Sequence, residues 1–315
     1  HTETTRLLHP TVLRGFALRS LLHGLQGRPS SGVTQAPSHA FGESFATCTS
    51  PHPFNMEEIH IMNATSSTVR VFFAATLLIG VMATGCKPEP MHGGPGTLTL
   101  SANFSFDGDS VLVGRTALDA AGNHLRLETF SIYLGGIELL NDTGAVRLSV
   151  AERWDAGAPN AWSYIVTPGT YSGFRVHLGV PTEYNTDTDP TIWPNDHPLG
   201  VNGSAGMFWS WNTGYIFSKF DGKADTTGGE NFIHPYAFHI GGDAQLLEVK
   251  YSEPWTVADC STHEFSLEGE LLDFLVHGND TIDVREDNVT HTGDNLGLAE
   301  RYVAGQQAAV TLVKN

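Results

Sequence analysis

The chain has 315 residues, 40% hydrophobic and 16% charged, with 34 Gly, 16 Pro and 3 Cys. That balance excludes a collagen-like, wholly disordered or disulfide-framework protein. A formal net charge of -17 argues against nucleic acid as a partner, because phosphate recognition needs a basic face.

The charge is uneven. Residues 1–85 hold 5 Lys+Arg against 4 Asp+Glu, and residues 86–315 hold 12 against 30. Two compositions are joined, and the join has a recognisable text. From Met62 the chain reads MNATSSTVRVFFAATLLIGVMATGC. Arg70 is a short basic start, Val71 to Met82 is an apolar run of about a dozen residues, and small residues precede Cys86. The run is too short to span a bilayer, which takes about 20 residues. Segment 62–85 resembles a bacterial lipoprotein signal peptide with Cys86 as the lipidated residue. Residues 1–61 are then expected to precede the true start, as an upstream or disordered extension. Residues 86–96 form a Pro- and Gly-rich tether, and 97–315 is one domain. With Cys86 lipidated, no internal disulfide is expected, and Cys260 reads as a small buried residue or an inert thiol. The expected location is the cell envelope, with a lipid anchor on the periplasmic face of the outer membrane or at the cell surface.

Along the domain the dominant period is two, the strand period. Segment 97–106 alternates cleanly. Segment 124–140 reads as two strands broken at Gly135-Gly136. In 171–180 the alternation puts Phe174, Val176 and Leu178 on one face. Segment 181–206 is a long loop, and such loops are often functional. Its Asn185-x-Asp187-x-Asp189 resembles the start of a calcium loop, but Pro190 stands where Gly is needed, so a solvated loop is expected. Segment 207–220 reads as an aromatic hairpin about Asn212-Thr213-Gly214. Strands follow at 232–240, 246–251 and 263–275, then a helix at Leu296 to Gln307. The predicted fold is all-β: an antiparallel, immunoglobulin-like β-sandwich with a short C-terminal helix.

Familiar catalytic patterns are missing: there is no GxSxG, P-loop, HExxH or CxxC. No carboxylate dyad is identifiable, so the protein is expected not to be an enzyme. The concentrated signal lies at 206–242. Met207, Trp209 and Trp211 alternate, so a strand would point all three one way. Trp is a poor ligand because its indole offers only an N–H donor, whereas Met is a soft donor and His a versatile one. His239 lies between Phe238 and Ile240, and His177 between Val176 and Leu178. Each faces away from core-directed neighbours.

GMFWSWNTGYIFSKFDGK (206–223) followed by FHIGGD (238–243) resembles the MbnP-like family of bacterial copper-binding proteins, associated with methanobactin operons. RVHLGVPTEYN (175–185), with its Asn a few residues after Gly-Val, and FSIYLGGIELLND (130–142) are similar to further parts of that pattern. Together they cover roughly 97–260. The resemblance implies a copper-homeostasis protein in which Trp209, the first Trp of WxW, is oxidised to kynurenine by a partner dihaem enzyme of the cytochrome c peroxidase type. Trp211 is its motif partner. Histidines would then help to hold one copper, as Cu(I). His239 is the first ligand candidate and His177 a weaker one, with Met207 and His234 in reserve. The competing expectation is a glycan- or protein-binding envelope module with no metal, presenting Trp162, Trp193 and Tyr184 around the long loop.

Overall fold

Alternation in the sequence becomes strand pairing in the computed structural model, which describes residues 93–210 and 213–315. The extension, the signal peptide, Cys86 and most of the tether lie outside the described residues, as does Trp211. The strands that matter here are β1 (Gly96–Phe106), β2 (His124–Asn141), β3 (Gly144–Asp155), β4 (Ala161–Val166) and β5 (Gly173–Leu178). They are followed by β6 (Phe208–Ser210), β7 (Gly214–Asp225), β8 (His234–Gly241), β9 (Leu247–Tyr251) and β10 (Thr262–Glu270). β11 (Val289–Thr290), helix α1 (Leu296–Ala309) and β12 (Thr311–Lys314) complete the set.

Two sheets face each other. One has the order β12-β10-β1, with β4 also paired to β1; the other runs β9-β5-β2-β7-β8-β11, with β3 on β2 and β6 on β7. The all-β, sandwich-like class is as predicted, and the helix at 296–307 is found at Leu296–Ala309. The uniformly antiparallel arrangement is not. β1 and β10 run parallel, from Thr97↔Thr262 to Ser105↔Glu270, and β8 and β11 also run parallel. Parallel neighbours need a long crossover, and the chain from β2 to β9, most of it in the second sheet, supplies it between β1 and β10.

The core between the sheets is built from alternate residues. Leu98, Leu100 and Phe104 of β1 meet Phe130 of β2 and Phe220 of β7. Phe174 of β5 packs on Phe265 at 4.6 Å, and Tyr302 of α1 stacks on Phe238 of β8 at 5.1 Å. As predicted, Phe174, Val176 and Leu178 share the buried face.

β2 corrects the expected break at Gly135-Gly136. It is a single strand that pairs with β7 through its first half and β5 through its second. The register shifts between Gly135 and Glu138, and Gly136 has φ +51°. A β-carbon on Gly135 would stand 2.2 Å from the Gly179 carbonyl oxygen. The glycines therefore mark a bulge and a close backbone approach within one strand.

Successive β2 residues point to opposite faces. Ile132 and Leu134 enter the main core, while Tyr133 enters a second cluster on the far face, with Val180, Leu199, Met207, Tyr215 and Phe217. The loop 181–206 and β6 cover that face. Tyr133 donates from its hydroxyl to the Pro198 carbonyl at 2.8 Å, and Tyr215 to that of Leu199 at 2.6 Å. Burial pushes the Tyr215 hydroxyl up to about 12, which keeps it a donor. The long loop is thus the lid of a second, smaller core.

Cys260 is exposed, at φ +54°, and is disulfide-bonded. The expectation of a buried or inert free thiol is corrected. The other two cysteines, Cys48 and Cys86, lie outside the described residues.

Candidate metal centre

The strands on either side of the expected hairpin pair: β6 runs antiparallel to β7, with Ser210 opposite Gly214, and Asn212 lies outside the described residues. β6 presses Trp209 onto the end of β8. A β-carbon on Gly241 would stand 2.6 Å from Cζ3 of Trp209 and 2.5 Å from the Tyr215 carbonyl oxygen. Only a glycine lets the indole lie there. This gives His-Ile-Gly a physical meaning. Ile240 enters the core, His239 faces outward, and Gly241 receives Trp209.

His239 is held by its neighbour strand. Its Nε2 donates to Oδ1 of Asp221 on β7 at 2.7 Å, and Lys219 Nζ stands 3.7 Å from Oδ2 of the same carboxylate. Nδ1 is left as the nitrogen for another partner. The ring of His291 lies 4.8 Å away, edge to face at 85°. His291 sits just past β11, and its Nδ1 donates to Asp294 Oδ2 at 2.9 Å. That leaves Nε2. Each imidazole is therefore oriented by a carboxylate through one nitrogen, the arrangement that fixes histidines as metal ligands.

Thr292 fastens the two segments. It has φ +62°, unusual for a β-branched residue. Its Oγ1 donates to the His239 carbonyl at 3.1 Å and accepts from Gly241 N–H at 3.0 Å, and its own N–H donates to Thr290 Oγ1 at 3.1 Å. Trp209, Thr213, Gly241, His291 and Thr292 line a cavity of about 390 Å³.

The other predicted site residues go elsewhere. Met207 is fully buried in the second cluster. His234 donates from Nε2 to the Val284 carbonyl at 2.7 Å. His177 on β5 is registered to Gly135, whereas His239 is registered through Lys219 to Ser131. Four strand residues at about 3.3 Å each put about 13 Å between them along β2. His177 instead faces Gly136 and Pro181, with its Nδ1 buried and without a hydrogen-bond partner among the described residues. Burial holds its pKa below the ordinary histidine value.

The surface expected for a glycan-binding module is also dispersed. Trp162, on β4, packs against the main core, while Tyr184 and Trp193 pack against the second cluster. Asn185, expected in a solvated loop, is fully buried.

The motif pieces that lie far apart in the chain thus meet at one corner of the fold. The MbnP family model matches residues 95–292. The chain belongs to the MbnP family. Its match ends one residue past His291, so the family region includes both histidines of the pair. The chain is also similar to MbnP from Methylosinus trichosporium, at 14% identity and a TM-score of 0.40, over 59% of this chain and 79% of that one. No curated protein matches it.

His291 was missed in the sequence because its surroundings, DNVTHTGDN, show no period. The available signal was His followed three residues later by Asp, with a Gly between.

Do these residues suit a metal? Among the described residues no three His, Cys, Asp or Glu side chains form a ready cage. Two carboxylate-braced imidazoles with an aromatic wall fit a metal that favours nitrogen donors. Intact Trp209 adds no third donor, because its indole nitrogen has no lone pair to give.

Proposed function

We propose that this protein binds one copper ion, as Cu(I), between His239 Nδ1 and His291 Nε2, with the third donor supplied by Trp209 after oxidation to kynurenine. The carrying observation is the pair of imidazoles, each braced by its own carboxylate, beside the Trp209 indole. His291 replaces His177 in the proposed ligand set. Bound copper would supply a soft, redox-active cation. The chain supplies orientation: Asp221 and Asp294 fix the two rings, Thr292 fixes the segments that carry them, and Gly241 fixes the indole.

The modification balances with peroxide as oxidant. Two equivalents of hydrogen peroxide cleave the indole C2–C3 bond, place one oxygen on each carbon and leave as two waters, giving N-formylkynurenine. Hydrolysis of the formyl group releases formate and leaves an aryl amine, a competent donor. A dihaem peroxidase of the cytochrome c peroxidase type is the proposed partner. The protein is read as a copper-homeostasis binding protein of the cell envelope, and not as an enzyme.

The test is copper stoichiometry after coexpression with such a peroxidase. One copper per chain is expected in the wild type, and none in His239→Ala or His291→Ala. Mass spectrometry of the Trp209 peptide should show replacement of the indole by kynurenine. Full copper occupancy in both histidine variants would sink the assignment.

A further inference from the structure

Asn185 stands out among the polar groups that the copper reading does not use. It is fully buried, on a loop, at the end of the single helical turn Thr182–Asn185. Its side chain bonds to two separate segments that flank the Trp209 cavity. Oδ1 accepts the backbone N–H of Tyr215 at 2.9 Å, at the start of β7. Nδ2 donates to Oδ1 of Asp243 at 2.7 Å, two residues beyond Gly241.

The fit is tight on the hairpin side. Gly214 has φ +75°, and a β-carbon on it would stand 2.2 Å from Asn185 Oδ1. Gly214 is also the residue registered to Ser210, the neighbour of Trp209. Any move of Asn185 therefore moves the hairpin that carries Trp209, the chain end that carries Gly241, or both. Only an amide satisfies both segments at once. It needs an acceptor for the Tyr215 N–H and a donor for the Asp243 carboxylate, and Asn offers both on one short side chain. Leaving either partner unmatched at a buried site has a cost.

We infer that Asn185 is a positioning residue: it clamps the β6–β7 hairpin to the end of β8 and so sets Trp209 against Gly241 beside His239 and His291. The consequence for copper rests on the reading above; the placement of Trp209 does not. This makes loop 181–206 part of the metal centre, although none of its residues lines the cavity.

The test uses the full chain labelled with 5-fluorotryptophan. The Trp209 fluorine line is assigned by its disappearance in Trp209→Phe. Asn185→Ala is expected to shift and broaden that line while the Trp154, Trp162 and Trp255 lines hold. Asp243→Ala, at an exposed residue, is expected to shift it the same way by less. The pairwise swap, Asn185→Asp with Asp243→Asn, reverses donor and acceptor and should restore the line. Copper affinity should fall about tenfold in Asn185→Ala, the lower end of the effect of losing an orienting group, and recover in the swap. An unmoved Trp209 line in both single variants, or an unrestored line in the swap, overturns the inference. If Asn185→Ala does not fold, Asp243→Ala and the swap carry the test. Wild-type protein that takes up no copper defeats the copper reading instead, and the fluorine lines still decide the clamp.

Discussion

Trp209 lies directly against Gly241 in the candidate centre. The benzene ring of the indole occupies the space where any other residue would carry its β-carbon, 2.6 Å from Cζ3. Gly241→Ala should therefore displace the ring or the strand, at a cost of about 1–3 kcal/mol typical of overpacking. Urea unfolding measures it. Gly293→Ala is the control, because that residue lines the same cavity with nothing within 4 Å of a new β-carbon. It should change stability by less than about 0.5 kcal/mol, as an open surface site does.

Asp221 touches His239 but not the cavity. Asp221→Ala should leave the fold in place and weaken copper binding about 10- to 100-fold, the range for loss of an orienting partner. Competition with a chelator of known affinity reads this directly. An unchanged affinity would mean that the ring is held by packing alone.

His177 is expected to be a structural histidine. His177→Gln should leave copper stoichiometry untouched. Its effect is on acid stability. Burial lowers the folded pKa below the unfolded value of about 6.5. Neutral His177 therefore contributes stability that is present above that value and lost as pH falls through the lowered folded pKa. Melting curves from pH 7 downwards should show a shallower decline in the Gln variant.

Thr292 holds a positive φ by three hydrogen bonds. Thr292→Ala keeps the strain and loses the two bonds made by Oγ1, so a loss of about 1–3 kcal/mol is expected. Thr292→Gly relieves the strain and should lose less. The same two variants should loosen His291 before the rest of the domain, seen as faster amide exchange at residues 291–293 than at β8.

Much of this was readable from local pattern. Alternation located β1, β5 and β8, and turn residues located the β6–β7 hairpin, because those signals are written within a dozen residues. β3 was not among the predicted strands although Val146, Leu148 and Val150 alternate with Arg147 and Ser149; its first four residues are exposed. Gly135-Gly136 looked like a terminus because a bulge and a turn use the same residue for the same conformational freedom. His239 was readable as an outward-facing side chain interrupting a core strand. His291 was not, since its position depends on β11 lying parallel to β8 across about fifty residues of chain, and no local spacing encodes such a pairing. His177 was equally outward-facing. Only the register of β5 and β8 on their neighbours shows that the two histidines cannot share an ion.

The parallel pairing of β1 with β10 also sets an order of events. β1 emerges first from the ribosome among the described strands, yet its parallel neighbour follows about 165 residues later. Contacts so distant in sequence close slowly and leave apolar edges waiting. The hydrogen-bonding edge of β1 that takes β10 therefore stays open until nearly the whole domain has been made. A chain truncated before Thr262 would hold β1 without its parallel partner and would lack β11, His291 and Thr292, a species prone to aggregate. On the proposed copper reading, metal loading and Trp209 oxidation would belong after completion of the chain.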